Sequence, residues 1–183
     1  YINAAGQSFR DFLNGQLPAL PGEKPTLTDW ADHLTTIFPE VRLKRYMEMR
    51  GADGGPWRII CALPAFWLGL LYDDAALDAC WDIVKGWSAE QRWQLRTDVP
   101  KRALKAEVAG RSVRDIAREV LAISRAALER RGIEGCGRRT EAGYLDVLEE
   151  IADSGRTQAE MLLDLYHGRW QADVRHLFRD FAY

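Results

Sequence analysis

The sequence predicts an α+β fold that is mostly helical, with one or two strands in its first third. From Val41 to Arg50, charged and apolar residues alternate as they do along a strand with one exposed face. From residue 57 onwards, helix-capping residues precede apolar residues at helical spacing. We therefore expect a strand-bearing part that holds the site over residues 1–72, and a helical outer layer over residues 73–183.

Two short helices are predicted before the strand. The first covers residues 7–14 and ends at a glycine, after which a loop with three prolines follows. Thr26 and Asp29 have the spacing of a capping box, and the helix that they open ends before Pro39. Tyr1 to Asn3 resembles the tail of a further strand. A lone strand leaves its backbone hydrogen bonds unpaired, so we expect the sheet partners to lie upstream, in a longer protein of which this is the C-terminal portion.

The predicted strand from Val41 to Arg50 carries its charges on one face. That face holds five side chains, four of them charged: Arg42, Lys44, Tyr46, Glu48 and Arg50. On the opposite face, only Arg45 departs from the apolar pattern. A face of this kind is either solvated, with ion pairs to a neighbouring strand, or turned toward an anion and a metal.

The strand runs into a turn with three glycines, Gly51, Gly54 and Gly55, and a helix is predicted from Trp57 to Tyr72. The turn lacks the GK[ST] ending of a P-loop and the G-x-G-x-x-G spacing of a dinucleotide site. Two interpretations stay open. The glycines either let backbone N–H groups approach an anion, or they form a plain tight turn.

The rest of the chain is predicted to be helical. Capping residues and breakers indicate helices from Asp73 or Asp74 to 85, from Ser88 onwards, from Ser112 to 131, over 139–152, from Thr157 to 166 and over 170–181.

Composition narrows the class of protein. The chain has 183 residues, 47% of them hydrophobic and 28% charged, with a net charge of −2, which is typical of one soluble globular domain. This balance gives no reason to expect binding to nucleic acid or to a membrane. The three cysteines, Cys61, Cys80 and Cys136, are too few and too scattered for a disulfide framework or a zinc site. We therefore expect a reducing, cytoplasmic location.

Glu48 and Arg50 are the candidate catalytic residues, because they share a strand face about 6–7 Å apart. Mg²⁺ prefers oxygen ligands and commonly shares them with substrate phosphates, while the planar guanidinium of an arginine matches phosphate oxygens. Lys44 adds a positive charge, and Tyr46 offers a ring or a hydroxyl. The pair suits phosphoryl transfer, yet the same spacing is also common on solvated strands.

The segment HLTTIFPEVRLKRYMEMRGADGGPWRIICALPAFWLGLLYD, from His33 to Asp73, resembles the plant and proteobacterial type of glutamate–cysteine ligase. The similarity continues in YINAAGQSFRDFLNGQLPALPGEKPTLTDW before it and in LLDLYHGRWQADV near the end, so it covers essentially the whole chain. Residues 132–140 differ from the family pattern, and we interpret them as a variable loop.

The resemblance implies a glutamine-synthetase-like antiparallel sheet and an ATP-dependent reaction. Members of the family use ATP and Mg²⁺ to phosphorylate the γ-carboxylate of glutamate, and the amine of cysteine then displaces the phosphate. By this resemblance Glu48 is a magnesium ligand and Arg50 contacts the transferred phosphate. Lys44, Tyr46 and Trp57 match pocket residues by position only. We expect the isolated chain to be inactive, and a homodimer is left open.

The family also has redox-active cysteines. Cys61 matches one of them, whose disulfide partner would lie outside this chain, although a buried thiol in an apolar helix fits the residue equally well. Ala4 and Ala19 replace a regulatory cysteine pair of the plant enzymes, which favours a bacterial-type cytoplasmic protein. The alternatives are a related carboxylate–amine ligase with another amine, or a non-catalytic helical interaction module.

Overall fold

The computed structural model describes residues 2–134, 137 and 140–182. The chain divides into two compact units, Tyr1–Ala52 and Asp53–Tyr183. The described residues combine helices with small two-stranded antiparallel sheets, which agrees with the predicted α+β class. The predicted division at residue 72 stays a prediction.

Residues 2–52 of the first unit form two helices and one hairpin: α1 (Phe9–Leu13), α2 (Leu27–Thr35), β1 (Val41–Leu43) and β2 (Met47–Met49). The predicted capping box opens α2, because the Thr26 hydroxyl accepts from the Asp29 N–H group and the Asp29 carboxylate accepts from the Thr26 N–H group. Neither helix buries a residue. Among the described residues of this unit, Leu17, 4% exposed, is the buried hydrophobic residue.

The predicted single strand from Val41 to Arg50 is wrong, because this segment is a hairpin. Its turn consists of residues 44–46, and the Lys44 N–H group donates to the Tyr46 carbonyl across the turn at 2.9 Å. Arg45, the residue that broke the predicted alternation, lies in this turn. The predicted strand tail is also wrong where the structure describes it, since Ile2 and Asn3 form no strand, and Tyr1 lies outside the described residues.

The second unit is largely helical. Its helices are α3 (Trp57–Leu71), α4 (Asp74–Val84), α5 (Ala89–Arg102), α6 (Val113–Arg131), α7 (Asp146–Ser154), α8 (Gln158–His167) and α9 (Arg175–Asp180). Short 3₁₀ turns cover Ala103–Lys105 and Glu141–Leu145, and a second hairpin pairs β3 (Glu107–Val108) with β4 (Arg111–Ser112).

The core of the second unit forms where α3 packs against α6. Ser124 of α6 is fully buried, and its hydroxyl donates to the Phe66 carbonyl of α3 at 3.0 Å. Gly69 faces Ser124 so closely that an added Cβ would lie 2.6 Å from the Ser124 carbonyl oxygen. Leu128 and Leu145, both 0% exposed, extend this contact toward the Glu141–Leu145 turn. The close approach of the two backbones explains why small residues occupy this helix interface.

Most predicted helix starts are confirmed. Asp73 caps α4, Ser88 and Gln91 form a capping box on α5, Ser112 caps α6, and Thr157 and Glu160 form a capping box on α8. Two predicted helices are shorter than expected. The one predicted over residues 139–152 begins as a 3₁₀ turn at Glu141, with Arg139 outside the described residues, and the one over 170–181 is reduced to α9.

Among the described residues, no single helix is long and apolar enough to cross a membrane. The consecutive helices α3 and α4 meet that test only when taken together, and they are bent by 92° where they join.

Candidate phosphate-binding hairpin

The hairpin β1–β2 places three cations around one carboxylate oxygen. Arg42 lies directly opposite Glu48 in the strand register. The Glu48 Oε2 atom is 3.8 Å from Arg42 Nε, 3.8 Å from Lys44 Nζ and 3.9 Å from Arg50 Nη1. The three cations come from β1, from the turn and from the residue that follows β2. We call these four residues the hairpin cluster.

Two atoms of the hairpin cluster are buried without a hydrogen bond. Within the part of the chain that the structure describes, neither Glu48 Oε2 nor Arg50 Nη1 has a hydrogen-bond partner, and both are inaccessible to solvent. The side chains themselves remain partly exposed, 36% for Glu48 and 26% for Arg50. Separations of 3.8–3.9 Å are ion-pair distances, too long for hydrogen bonds. The cluster therefore contains one buried donor and one buried acceptor that lack the hydrogen bonds expected of such groups.

Aromatic rings support two of the cations. The Arg50 guanidinium lies 5.8 Å from the centre of the Phe38 ring, and the Lys44 ammonium lies 6.0 Å from the centre of the Tyr46 ring. Both distances are within the range of cation–π attraction. Phe38 is 68% exposed and Tyr46 is 62% exposed, so the rings flank the cluster at the surface of this unit.

The charge balance of the hairpin cluster favours an anion. Three cations and one carboxylate leave a formal excess of two positive charges. Guanidinium groups bind phosphate oxygens through paired hydrogen bonds, and an ammonium adds a positive charge without a fixed geometry. The cluster is therefore equipped to hold a phosphate group, which is the anionic interpretation of the charged face.

The cluster fits a magnesium ion only as a shared site. Glu48 Oε2 is an oxygen ligand with no hydrogen bond to lose, but the three neighbouring cations repel a divalent cation. Among the described residues, no group of three or more His, Cys, Asp or Glu side chains comes together. Mg²⁺ commonly combines one or two carboxylates with substrate phosphates. Glu48 is therefore suited to contribute one ligand to an ion that arrives with phosphate.

The structure brings together four of the predicted site residues, Lys44, Tyr46, Glu48 and Arg50, on one hairpin. Trp57, 74% exposed, and Cys61, half-buried in α3, belong to the second unit. Cys61 and Cys80 are both free thiols, and Cys136 lies outside the described residues.

Sequence reasoning missed two features of the hairpin cluster. Arg42 was placed on the charged face but not in the site, because its position opposite Glu48 depends on a register that only the hairpin reveals. Phe38 precedes the strand and carries no sequence signal of its contact with Arg50. The break in alternation at Arg45 was the one available sign of a turn.

The glycine turn after the hairpin has a packing role at one position. An added Cβ on Gly55 would lie 3.1 Å from Ile59 Cβ and 3.2 Å from Gln158 Oε1, whereas one on Gly54 would meet nothing within 4 Å. No side chain caps the N-terminus of α3. At Gly55 the small residue is therefore explained by close packing against α3 and α8.

A charged cavity of about 600 Å³ in the second unit contrasts with the hairpin cluster. Its cations are already partnered: Lys105 Nζ lies 2.8 Å from Glu160 Oε1, Arg156 pairs with Asp164, and Arg114 donates to backbone carbonyls at the end of α7. The hydrogen bond from Lys105, together with those from Thr157, lowers the pKa of Glu160 from 4.5 to about 2. These charges stabilise helix ends and offer no free cation to a ligand.

Comparison with known proteins identifies one family. The model of glutamate–cysteine ligase family 2 matches residues 6–180. Similar proteins include the chloroplastic glutamate–cysteine ligases of Solanum lycopersicum, 51% identical, and Arabidopsis thaliana, 50% identical, and glutamate–cysteine ligase A of Oryza sativa subsp. indica, 52% identical. Each alignment covers all 183 residues of this chain and 34–36% of the relative, so the chain spans about a third of their length.

These relatives correct one expectation. The location was expected to be cytoplasmic and of bacterial type, from the absence of the cysteine pair at Ala4 and Ala19. The similar proteins are named as chloroplastic enzymes, so that expectation is wrong. The replaced cysteines therefore do not separate this chain from the plant group.

Proposed function

The chain belongs to glutamate–cysteine ligase family 2, and we propose that the protein containing it joins the γ-carboxylate of glutamate to the amine of cysteine, driven by ATP. The reaction passes through γ-glutamyl phosphate and gives γ-glutamylcysteine, the first step of glutathione biosynthesis. The hairpin cluster is the observation that carries this proposal, since it gathers three cations and one free carboxylate oxygen at the predicted site.

Each residue of the hairpin has a proposed role. Arg50 and Lys44 bind the phosphates of ATP, and Arg50 contacts the phosphoryl group as it is transferred. Glu48 provides one oxygen ligand for Mg²⁺. When bound with the nucleotide, Mg²⁺ neutralises phosphate charge and polarises the phosphoryl group. Tyr46 contributes to the nucleotide pocket, and the pocket role of Trp57 stays a prediction from its position in the sequence.

The wider fold belongs to the same proposal. The short strands β1 and β2 cannot form a stable sheet alone, because an isolated two-stranded hairpin is at best marginally stable in water. We propose that they join a glutamine-synthetase-like antiparallel sheet in the complete enzyme. A homodimer is the assembly proposed for that enzyme, and light scattering measures it directly.

Kinetics of the complete protein tests the proposal. Arg50→Lys keeps the charge but loses the paired hydrogen bonds of the guanidinium, and loss of one transition-state contact typically lowers kcat on the order of 10²–10³. Glu48→Gln should raise the Mg²⁺ concentration required for half-maximal rate. Arg58→Lys and Glu150→Gln are matched controls, because this exposed ion pair at 3.0 Å belongs to the second unit. Both controls should react like the wild type.

The choice of amine substrate separates the alternatives. Glutamate-dependent release of ADP that requires cysteine supports the proposed reaction. Release that requires a different amine indicates a related carboxylate–amine ligase. If no amine promotes ADP release, and Glu48→Gln and Arg50→Lys behave like their controls, the chain belongs to a non-catalytic module.

A further inference from the structure

We infer that Arg42 is a third phosphate-binding cation and that Glu48 serves as an internal counter-anion, holding Arg42, Lys44 and Arg50 in place until a phosphate chain replaces it. The inference rests on the proposed binding of phosphate at the hairpin cluster. Nothing in the sequence motif assigns a ligand to Arg42, and the exchange gives Glu48 a role before any metal is bound.

The inference rests first on the distances around one oxygen atom of Glu48. All three cations approach the same atom, Glu48 Oε2, at 3.8–3.9 Å, and none of them forms a hydrogen bond with it. A carboxylate with a structural role forms shorter, directed bonds, as Asp73 does with Arg130 at 2.8 and 3.0 Å. Glu48 therefore balances charge without saturating the donors, which stay available to an incoming anion.

The inference rests secondly on the register of the hairpin. Arg42 and Glu48 are direct cross-strand partners, so their side chains share one face of the hairpin. Arg42 is on β1 and Arg50 follows β2, and neighbouring strands lie about 5 Å apart. Lys44 lies in the turn at the end of the same face. The three cations thus reach one oxygen atom of Glu48 from β1, from the turn and from the residue after β2, and such a group of cations suits an anion with several charged groups.

This arrangement makes Glu48 and a phosphate chain compete for the same three cations. A phosphate chain that binds Arg42, Lys44 and Arg50 must displace the carboxylate that attracts them. Removal of the carboxylate charge should therefore strengthen phosphate binding when no metal is present. If Glu48 lay outside the phosphate site, neutralising it would leave metal-free binding unchanged, so this measurement shows whether Glu48 competes with phosphate for the three cations.

Calorimetric titration of the complete protein with inorganic tripolyphosphate, in the presence of EDTA, tests the inference. An exposed ion pair is worth about 0.2–1 kcal/mol, so each change should alter the Kd by about 1.4- to 5-fold. Glu48→Gln should lower the Kd, and Arg42→Gln should raise it. Arg42→Lys, which keeps the charge, should stay near the wild type. Arg45→Gln is the matched control, because Arg45 lies in the turn but outside the cluster.

Two results would overturn the inference: Arg42→Gln binding tripolyphosphate like Arg45→Gln, or Glu48→Gln binding it no more tightly than the wild type. Thermal melting of every variant identifies losses of binding that are caused by unfolding. Arg42→Gln and Arg42→Lys change the same side chain, so a difference in Kd between them reports the charge at position 42.

The proposed function is measured separately, by cysteine-dependent formation of product. Tripolyphosphate binding with the expected order of variants but without product contradicts only the proposed function, whereas product formation without this order contradicts only the inference.

Discussion

Replacing Gly69 by alanine tests the close contact between α3 and α6. The added Cβ would lie 2.6 Å from the Ser124 carbonyl oxygen and 3.0 Å from Ser124 Cα. Ordinary contacts of a Cβ begin near 3.4 Å, so the two helices must separate by several tenths of an ångström. The nearest neighbour is the Ser124 Oγ atom, but the other two are backbone atoms, which no rotamer change can move. Overpacking of a core typically costs about 1–3 kcal/mol, and a backbone clash belongs at the upper end of that range.

The assay is urea unfolding of the complete protein, combined with hydrogen exchange of the amides in α3 and α6. Gly69→Ala should lower the unfolding midpoint and reduce protection in both helices. Gly86→Ala is the control, since an added Cβ there would meet nothing within 4 Å. Ser124→Ala should not rescue Gly69→Ala, because the carbonyl oxygen remains. Wild-type stability of Gly69→Ala would refute the helix spacing described above.

Three further substitutions test the second unit. Gly155 and Gly132 both end helices with positive φ, +68° and +67°, and alanine costs about 1–2 kcal/mol of stability in that left-handed conformation. Gly155→Ala should destabilise more than Gly132→Ala in thermal melts, because its Cβ would also crowd the Arg114 guanidinium at 3.1 Å; equal losses would show that Arg114 moves aside freely. The lowered pKa of Glu160 predicts a stabilising contribution that is complete above its ordinary pKa of 4.5 and is lost as the pH falls toward about 2. Melting temperatures across this range should fall less steeply for Glu160→Gln than for the wild type, and parallel curves would contradict the assignment.

Local signals in the sequence were sufficient for the helix starts. The capping boxes at Thr26, Ser88 and Thr157 depend on residues three positions apart, so the sequence contains the whole interaction. Helix ends were less predictable. Gln171 and Ala172 adopt positive φ angles of 47° and 63°, which interrupt the helix predicted over residues 170–181, and neither residue type signals that conformation.

The hairpins were missed for a related reason. The turn between β3 and β4 uses Ala109 and Gly110, both with positive φ, where asparagine or aspartate before the glycine would have given a recognisable signal. The turn at residues 44–46 contains no glycine at all. Glu48 and Arg50 were nevertheless placed on one charged face, because they lie two residues apart after the turn, and the three-residue turn keeps Arg42 on that face as well. The partner of Glu48 across the hairpin depended on the register and was not predictable.

The alternation of charged and apolar residues along the hairpin limits how the length of its turn can change during evolution. The registered pairs are Val41 with Met49, Arg42 with Glu48, and Leu43 with Met47, so one face is charged and the other apolar. Removing or adding a single residue in the turn would pair Arg42 with a methionine and mix charged and apolar side chains on both faces. Substitutions within residues 44–46 leave the pairing intact. Homologous sequences should therefore keep the length of this turn constant, and engineered insertions are better directed to other loops.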